Sequence, residues 1–180
     1  MTDAEITARQ ADILGKPQRI EPWSPEEFDE NAVALVRAIK ASLGHGDDRD
    51  IPEVFGVMLK HPWLFRCQIE IGTLFFSQGR IAPRERELAV LRVGWLCRAP
   101  YEWGEHVNIG KRNGLTLDEI ERVTLGSTAP QWSAHDRAIL AGVEELVGDH
   151  MISDATWGTL AKSWDEAQLL EFPMLVGQYC

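Results

Sequence analysis

Apolar positions recur at helical spacing almost everywhere after residue 23, and the alternation that marks a β-strand is nearly absent. Ser24-Pro25-Glu26-Glu27 reads as a capping box with proline at the first helical position. It predicts a helix to about Leu43 with Phe28, Ala32, Leu35, Val36 and Ile39 as its apolar stripe, then a polar connector from Gly44 to Asp50. Pro52 starts a short helix through Leu59, which His61-Pro62 ends because a residue before proline is pushed out of the helical region. A longer apolar helix runs from Trp63 to about Gln78 and stops at Gly79. Pro83 opens another, and Pro100 separates it from a helix that ends near Gly114.

Four further starts carry capping residues: Thr116 with Glu119, Ser133 with Asp136, Ser153 with a polar first turn, and Asp165 with Gln168. The last opens Glu166 to Cys180, where Pro173 implies a kink and the apolar pattern is still running at Cys180, as in a helix cut short. Residues 1–23 read as a loose arm, with Pro17 and Pro22 near its end. No internal repeat interrupts the rest, so the expected architecture is one all-α domain over residues 24–180.

Composition narrows the function classes. The chain has 180 residues, 44% of them apolar, enough for a sizeable core. Lys and Arg number 18 against 28 Asp and Glu, a formal net charge of −10, which argues against nucleic acid as a partner. No apolar run reaches the length of a membrane span, and the polar, mixed-charge start is unlike a signal peptide, so a cytoplasmic protein is expected. Cys67, Cys97 and Cys180 are odd in number and widely spaced, as suits reduced thiols. Seven tryptophans suggest aromatic packing or an aromatic-lined pocket.

The chemistry concentrates in Glu87 to His106, ELAVLRVGWLCRAPYEWGEH. Glu102 and His106 stand four residues apart and share a helix face, while Glu87 lies near the start of the preceding apolar helix. Two carboxylates and an imidazole are the parts of a proton-transfer site at neutral pH. The bland alternatives are a surface ion pair for Glu102–His106 and a dipole-stabilised first-turn Glu87. Arg84, Arg86 and Arg92 could fork onto a substrate carboxylate, Arg92 first because it sits within the apolar run; pairing with Glu85 and Glu87 competes. The three site residues could ligate a metal, but without a second histidine nearby none is expected. His61, His135 and His150 lie by helix ends, where capping or exposure is expected. No glycine-rich dinucleotide or phosphate loop occurs, so no cofactor is expected.

From about residue 51 the chain resembles the carboxymuconolactone decarboxylase family, which includes the AhpD-like alkylhydroperoxidases. The residues that carry the resemblance are His61-Pro62, Arg84 to Ala89, Tyr101 to His106, Asn113 to Thr116, Ile152 to Trp157 and Met174 to Tyr179. The resemblance implies an AhpD-like helical bundle working as an obligate or near-obligate homo-oligomer, a dimer, trimer or hexamer. The family's peroxidase branch carries a Glu, a C-x-x-C pair and a His four residues after the second Cys. Aligned on His106, the Glu is Glu87 and the two cysteine positions are Ala99 and Glu102. The redox pair is therefore missing, and a carboxylate at the second position resembles the decarboxylase branch.

The expected enzyme is a cofactor-independent lyase with His106 as general acid/base, tuned by Glu102 and Glu87. Tyr101, Trp103 and Arg92 are the expected substrate-binding residues. The expected substrate is a small oxygenated organic acid or lactone of the kind met in aromatic-compound breakdown, and the reaction a decarboxylation, lactone opening, isomerisation or C–C cleavage. Two alternatives stand beside this. One is peroxiredoxin-like activity through Cys97, whose competing reading is a buried inert thiol. The other is a non-catalytic ligand-binding oligomer.

Overall fold

The computed structural model describes residues 3–42 and 52–180, and every regular element among them is helical. The connector expected over Gly44 to Asp50 lies outside the described residues, as does the end of the preceding helix at Leu43. The chain divides into two compact units, residues 15–78 and residues 1–14 with 79–180. The sequence pattern shows no break that would separate them.

The unit over residues 15–78 contains α2 (Glu30–Ser42), α3 (Glu53–Met58) and α4 (Pro62–Ser77). Its core is Ala32, Ile39, Leu59 and Phe65, ringed by Trp23, Phe28, Phe55 and Ile69. The helix expected to begin at Pro25 forms only a 3-10 turn, Pro25–Glu27, and then breaks. The physical reason is a second, stronger cap. Asp29 accepts the Ala32 amide at 2.7 Å, so the continuous helix starts one residue later, at Glu30. His61 caps α4 in the same way, its Nδ1 accepting the Leu64 amide at 3.2 Å.

The second unit contains α1 (Asp3–Ile13), α5 (Pro83–Leu96), α6 (Pro100–Arg112), α7 (Leu117–Leu125), α8 (Ala134–Asp149), α9 (Asp154–Leu160) and α10 (Glu166–Tyr179). Helix α1 stands where a loose arm was expected: DAEITARQADI holds no Gly or Pro and is rich in strong helix formers. The expected caps of α7 to α10 are present. Thr116, Ser133, Ser153 and Asp165 each accept the amide three residues on.

Helix α5 organises this unit. Residues 86–94 are buried without interruption, so the helix is enclosed on all sides rather than amphipathic. It packs against α6, α7, α8 and α10. Leu88, Leu91 and Val93 meet a core completed by Val123, Ile139, Leu140, Val143, Phe172 and Leu175. An enclosed helix must also bury whatever charge it carries, and α5 carries Arg86, Glu87 and Arg92. The way those three charges are matched defines the rest of the architecture. Among the described residues no helix is long and apolar enough to cross a membrane.

Candidate active site

Glu87 lies one turn into α5 with no solvent exposure. Its Oε2 is 2.7 Å from Nδ1 of His106, which α6 brings alongside and which is itself 5% exposed. One turn beyond His106, a Cβ at Gly110 would crowd Leu115 at 3.1 Å and lie in ordinary contact with Leu91 and Glu87 at 3.5 and 3.7 Å. The second carboxylate oxygen, Oε1, accepts a hydrogen bond from Nε of Arg86 at 2.9 Å. Arg86 is 4% exposed, so cation, carboxylate and imidazole form one buried chain. A permanent guanidinium on one side compensates the Glu87 charge, and the carboxylate on the other fixes Nδ1 as the protonated ring nitrogen.

The other ring nitrogen, Nε2, lies toward α6's own first turn. It faces Oε2 of Glu102 at 3.8 Å, too far for a hydrogen bond, and the Glu102 side chain is 41% exposed. His106 therefore spans from a sealed interior on its Nδ1 edge to a half-open carboxylate on its Nε2 edge. One further ring completes the surroundings. Tyr179 of α10 meets the imidazole edge-on, ring centroids 5.0 Å apart. Burial, then the charges of Glu87 and Glu102, push the Tyr179 phenol above the ordinary tyrosine range, with Arg86 opposing. It remains a neutral O–H donor at any ordinary pH.

The other sequence-predicted residues distribute differently. Tyr101 is half exposed, and burial followed by Glu105 and Glu102 raises its phenol as well. Trp103 packs on Trp95 with centroids 5.2 Å apart. Both tryptophans line a small cavity of about 160 Å³ with Gly94, Arg98, Pro100 and, from α1, Arg9 and Gln10. Arg92, expected at the substrate, is engaged by α7 and α8. Its guanidinium bonds Glu144 of α8 at 2.8 Å and the carbonyls of Val123 and Thr124 at 2.9 and 3.1 Å. It caps the C-terminal end of α7. Arg84 is likewise structural, reaching Glu119 of α7 at 2.5 Å and Asp136 of α8 at 2.9 Å.

Sequence reasoning missed two parts of the cluster. Arg86 was weighed only as one of three arginines, although its position beside Glu87 was the available signal. Tyr179 carried no local signal, because only the packing of α10 on α5 brings it to His106. His135, expected at a cap or in solvent, is instead half-buried with Nε2 3.2 Å from Glu85, whose other oxygen accepts the Trp164 indole N–H at 3.0 Å. Cys97 closes α5 as its C-cap and is a half-buried free thiol. Among the described residues no three His, Cys, Asp or Glu side chains gather as a metal site.

Chemically, a buried carboxylate–imidazole pair whose second ring nitrogen faces a half-exposed carboxylate can take up and return a proton. Comparison with known proteins places this arrangement. Residues 67–145 match the family model for the carboxymuconolactone decarboxylase family. The chain is similar to a protein of unknown function from Agrobacterium tumefaciens, provisionally described as an antioxidant defence protein AhpD. The TM-score is 0.62 at 18% identity, covering 68% of this chain and 84% of that one. At that identity the likeness is one of fold. A search of curated proteins gives no match. The matched stretch, residues 67–145, holds Glu87, Glu102 and His106.

Proposed function

We propose that this protein is an enzyme that moves a proton through His106, with Glu87 and Arg86 as positioning residues and Glu102 at the open edge. The single observation that carries the reading is the buried chain from Arg86 through Glu87 to His106, with contacts of 2.9 and 2.7 Å. Burying three ionisable groups in series costs stability unless each is matched, and here the matching leaves one nitrogen, Nε2, directed to the half-open side. The substrate in this reading is a small oxygenated organic acid or lactone. A protonated Nε2 returns a proton to the carbanion left by decarboxylation, and the neutral base opens a lactone through water. In this reading Tyr179, whose ring lies edge-on to His106, joins Tyr101 as a phenol that could donate to a developing oxyanion. A homo-oligomer belongs to the same reading: Trp157, Leu170 and Met174 are large apolar side chains left exposed on α9 and α10.

The test is a panel of lactones and keto acids assayed with wild type and His106→Ala. Ring opening or carbon dioxide release that depends on His106 supports the reading, and turnover indifferent to His106 removes it. Hydroperoxide reduction through Cys97 is the second reading, and the free, half-buried Cys97 thiol in a fold similar to that of a protein provisionally described as AhpD is the observation that favours it. Peroxide turnover lost in Cys97→Ser and retained in His106→Ala would establish it instead.

A further inference from the structure

The end of α5 and the start of α6 enclose a cavity that the proton-transfer reading does not use. Its volume is about 160 Å³, its wall is formed by Gly94, Trp95 and Trp103, and α1 borders it with Arg9 and Gln10. The two indoles meet at 57° with centroids 5.2 Å apart. Arg98 lines the same cavity from a left-handed backbone, φ 54°, a conformation that costs a non-glycine residue some strain.

Charge distinguishes this cavity from a packing gap. The arginines of α5 each have a carboxylate: Arg84 reaches Glu119 and Asp136, Arg86 reaches Glu87, and Arg92 reaches Glu144. Arg9 and Arg98 have none among the described residues; Arg9 instead donates from Nε to the Arg98 carbonyl at 3.4 Å. Two uncompensated cations thus share one rim, in a chain with 28 acidic residues against 18 basic ones. Ala99 and Pro100 also border the cavity, where α6 begins without a side-chain cap. The positive end of that helix therefore adds to the two guanidiniums.

Size sets the class of ligand. An apolar cavity of about 150 Å³ holds one benzene ring, and two indoles favour a flat π-system over an aliphatic chain. We propose that this cavity binds a single-ring aromatic carboxylate, its ring against Trp95 and Trp103 and its carboxylate on Arg98 and Arg9. Trp103 and His106 stand three residues apart and share the α6 face that packs on α5. The site therefore lies about one helical turn from the imidazole. Binding itself is independent of the acid–base reading; that such an acid is the substrate rests on it.

The experiment titrates benzoate into the full-length protein by isothermal titration calorimetry, with benzamide and acetate as probes that lack the charge or the ring. Benzoate should bind saturably, benzamide about tenfold more weakly, and acetate not measurably. Arg98→Gly removes the charge and suits the left-handed backbone, so its Tm should hold or rise while benzoate affinity falls about tenfold. Arg9→Gln, at an exposed position of α1, should weaken benzoate in the same direction. Absence of saturable binding, benzamide binding as tightly as benzoate, or wild-type affinity in both arginine variants overturns the site. His106→Ala should bind benzoate as wild type does, so the site stands or falls apart from the acid–base reading. Where a lactone or keto acid turns over through His106, benzoate should inhibit competitively. Inhibition that leaves KM unchanged, or none at saturating benzoate, overturns the assignment of this cavity to the substrate.

Discussion

Oε2 of Glu87 sits 2.7 Å from Nδ1 of His106, inside a helix pair from which solvent is almost wholly excluded. An anion at that depth is tolerable only with cations or donors on both oxygens, and Arg86 supplies the second at 2.9 Å. Replacing the carboxylate with an amide of the same shape leaves Arg86 buried without its counter-charge. Glu87→Gln is therefore expected to lower unfolding free energy by about 3 kcal/mol, measured by urea denaturation at neutral pH. A loss within experimental error would mean that Arg86 is matched by other groups.

The same contact fixes the tautomer. In ¹⁵N NMR of the neutral imidazole, Nδ1 of His106 should carry the proton and Nε2 should show the shift of a bare ring nitrogen. In Glu87→Gln the preference should weaken visibly. An Nε2–H tautomer in the native protein would contradict the geometry described for the site.

Arg92 was the arginine that sequence position recommended for substrate binding, and the structure gives it a different task. It ties α7 and α8 to α5 through Glu144 and two backbone carbonyls. Arg92→Met is expected to cost about 2–4 kcal/mol of stability, since it strands Glu144 and two carbonyls. In the fraction that remains folded, kcat and KM should be unchanged. A selective rise in KM with normal stability would return Arg92 to the substrate.

Gly126 lies beside this junction at φ +82°, and a Cβ there would run into the Arg92 guanidinium and the Glu144 carboxylate. Gly126→Ala combines a left-handed backbone with lost space. It should destabilise by roughly 1–3 kcal/mol, read as a fall in Tm, with the His106 site left intact.

An acid-sensitive contact lies at the start of α9. Burial raises the Glu145 carboxyl, but the Ser153 amide at 2.8 Å and the Thr156 and Ser153 hydroxyls outweigh it, so the net shift is below the ordinary value of 4.5. A carboxyl lowered on folding contributes stability above its unfolded pKa and loses it as pH falls through the folded one. Stability should therefore decline from about pH 4.5 downward, and Glu145→Gln should flatten that acid limb in thermal melts taken across pH. An unchanged slope would show that Glu145 takes no part.

Helix starts were legible in the sequence wherever a short polar side chain met an apolar run, as at Thr116, Ser133, Ser153 and Asp165. At Ser24 the expected capping box and proline are present but open only a 3-10 turn, because Asp29 supplies a competing cap a few residues on and local pattern does not rank two caps. Glu87 and His106 were legible because they lie on adjacent helices separated by a single proline break, where chain order already predicts proximity. Tyr179 depends on α10 returning to α5, a tertiary pairing that no periodicity encodes. Arg92 misled for the complementary reason: an arginine in an apolar run announces burial, but not which acceptor it is buried against.

The central claim, that His106 carries the chemistry, is tested most directly by turnover on a panel of lactones and keto acids in wild type, His106→Ala and Cys97→Ser. The expected result is a fall of about 10²–10⁴-fold in kcat for His106→Ala, with Cys97→Ser close to wild type. Turnover that survives in His106→Ala and is lost in Cys97→Ser would contradict it and move the active site to Cys97.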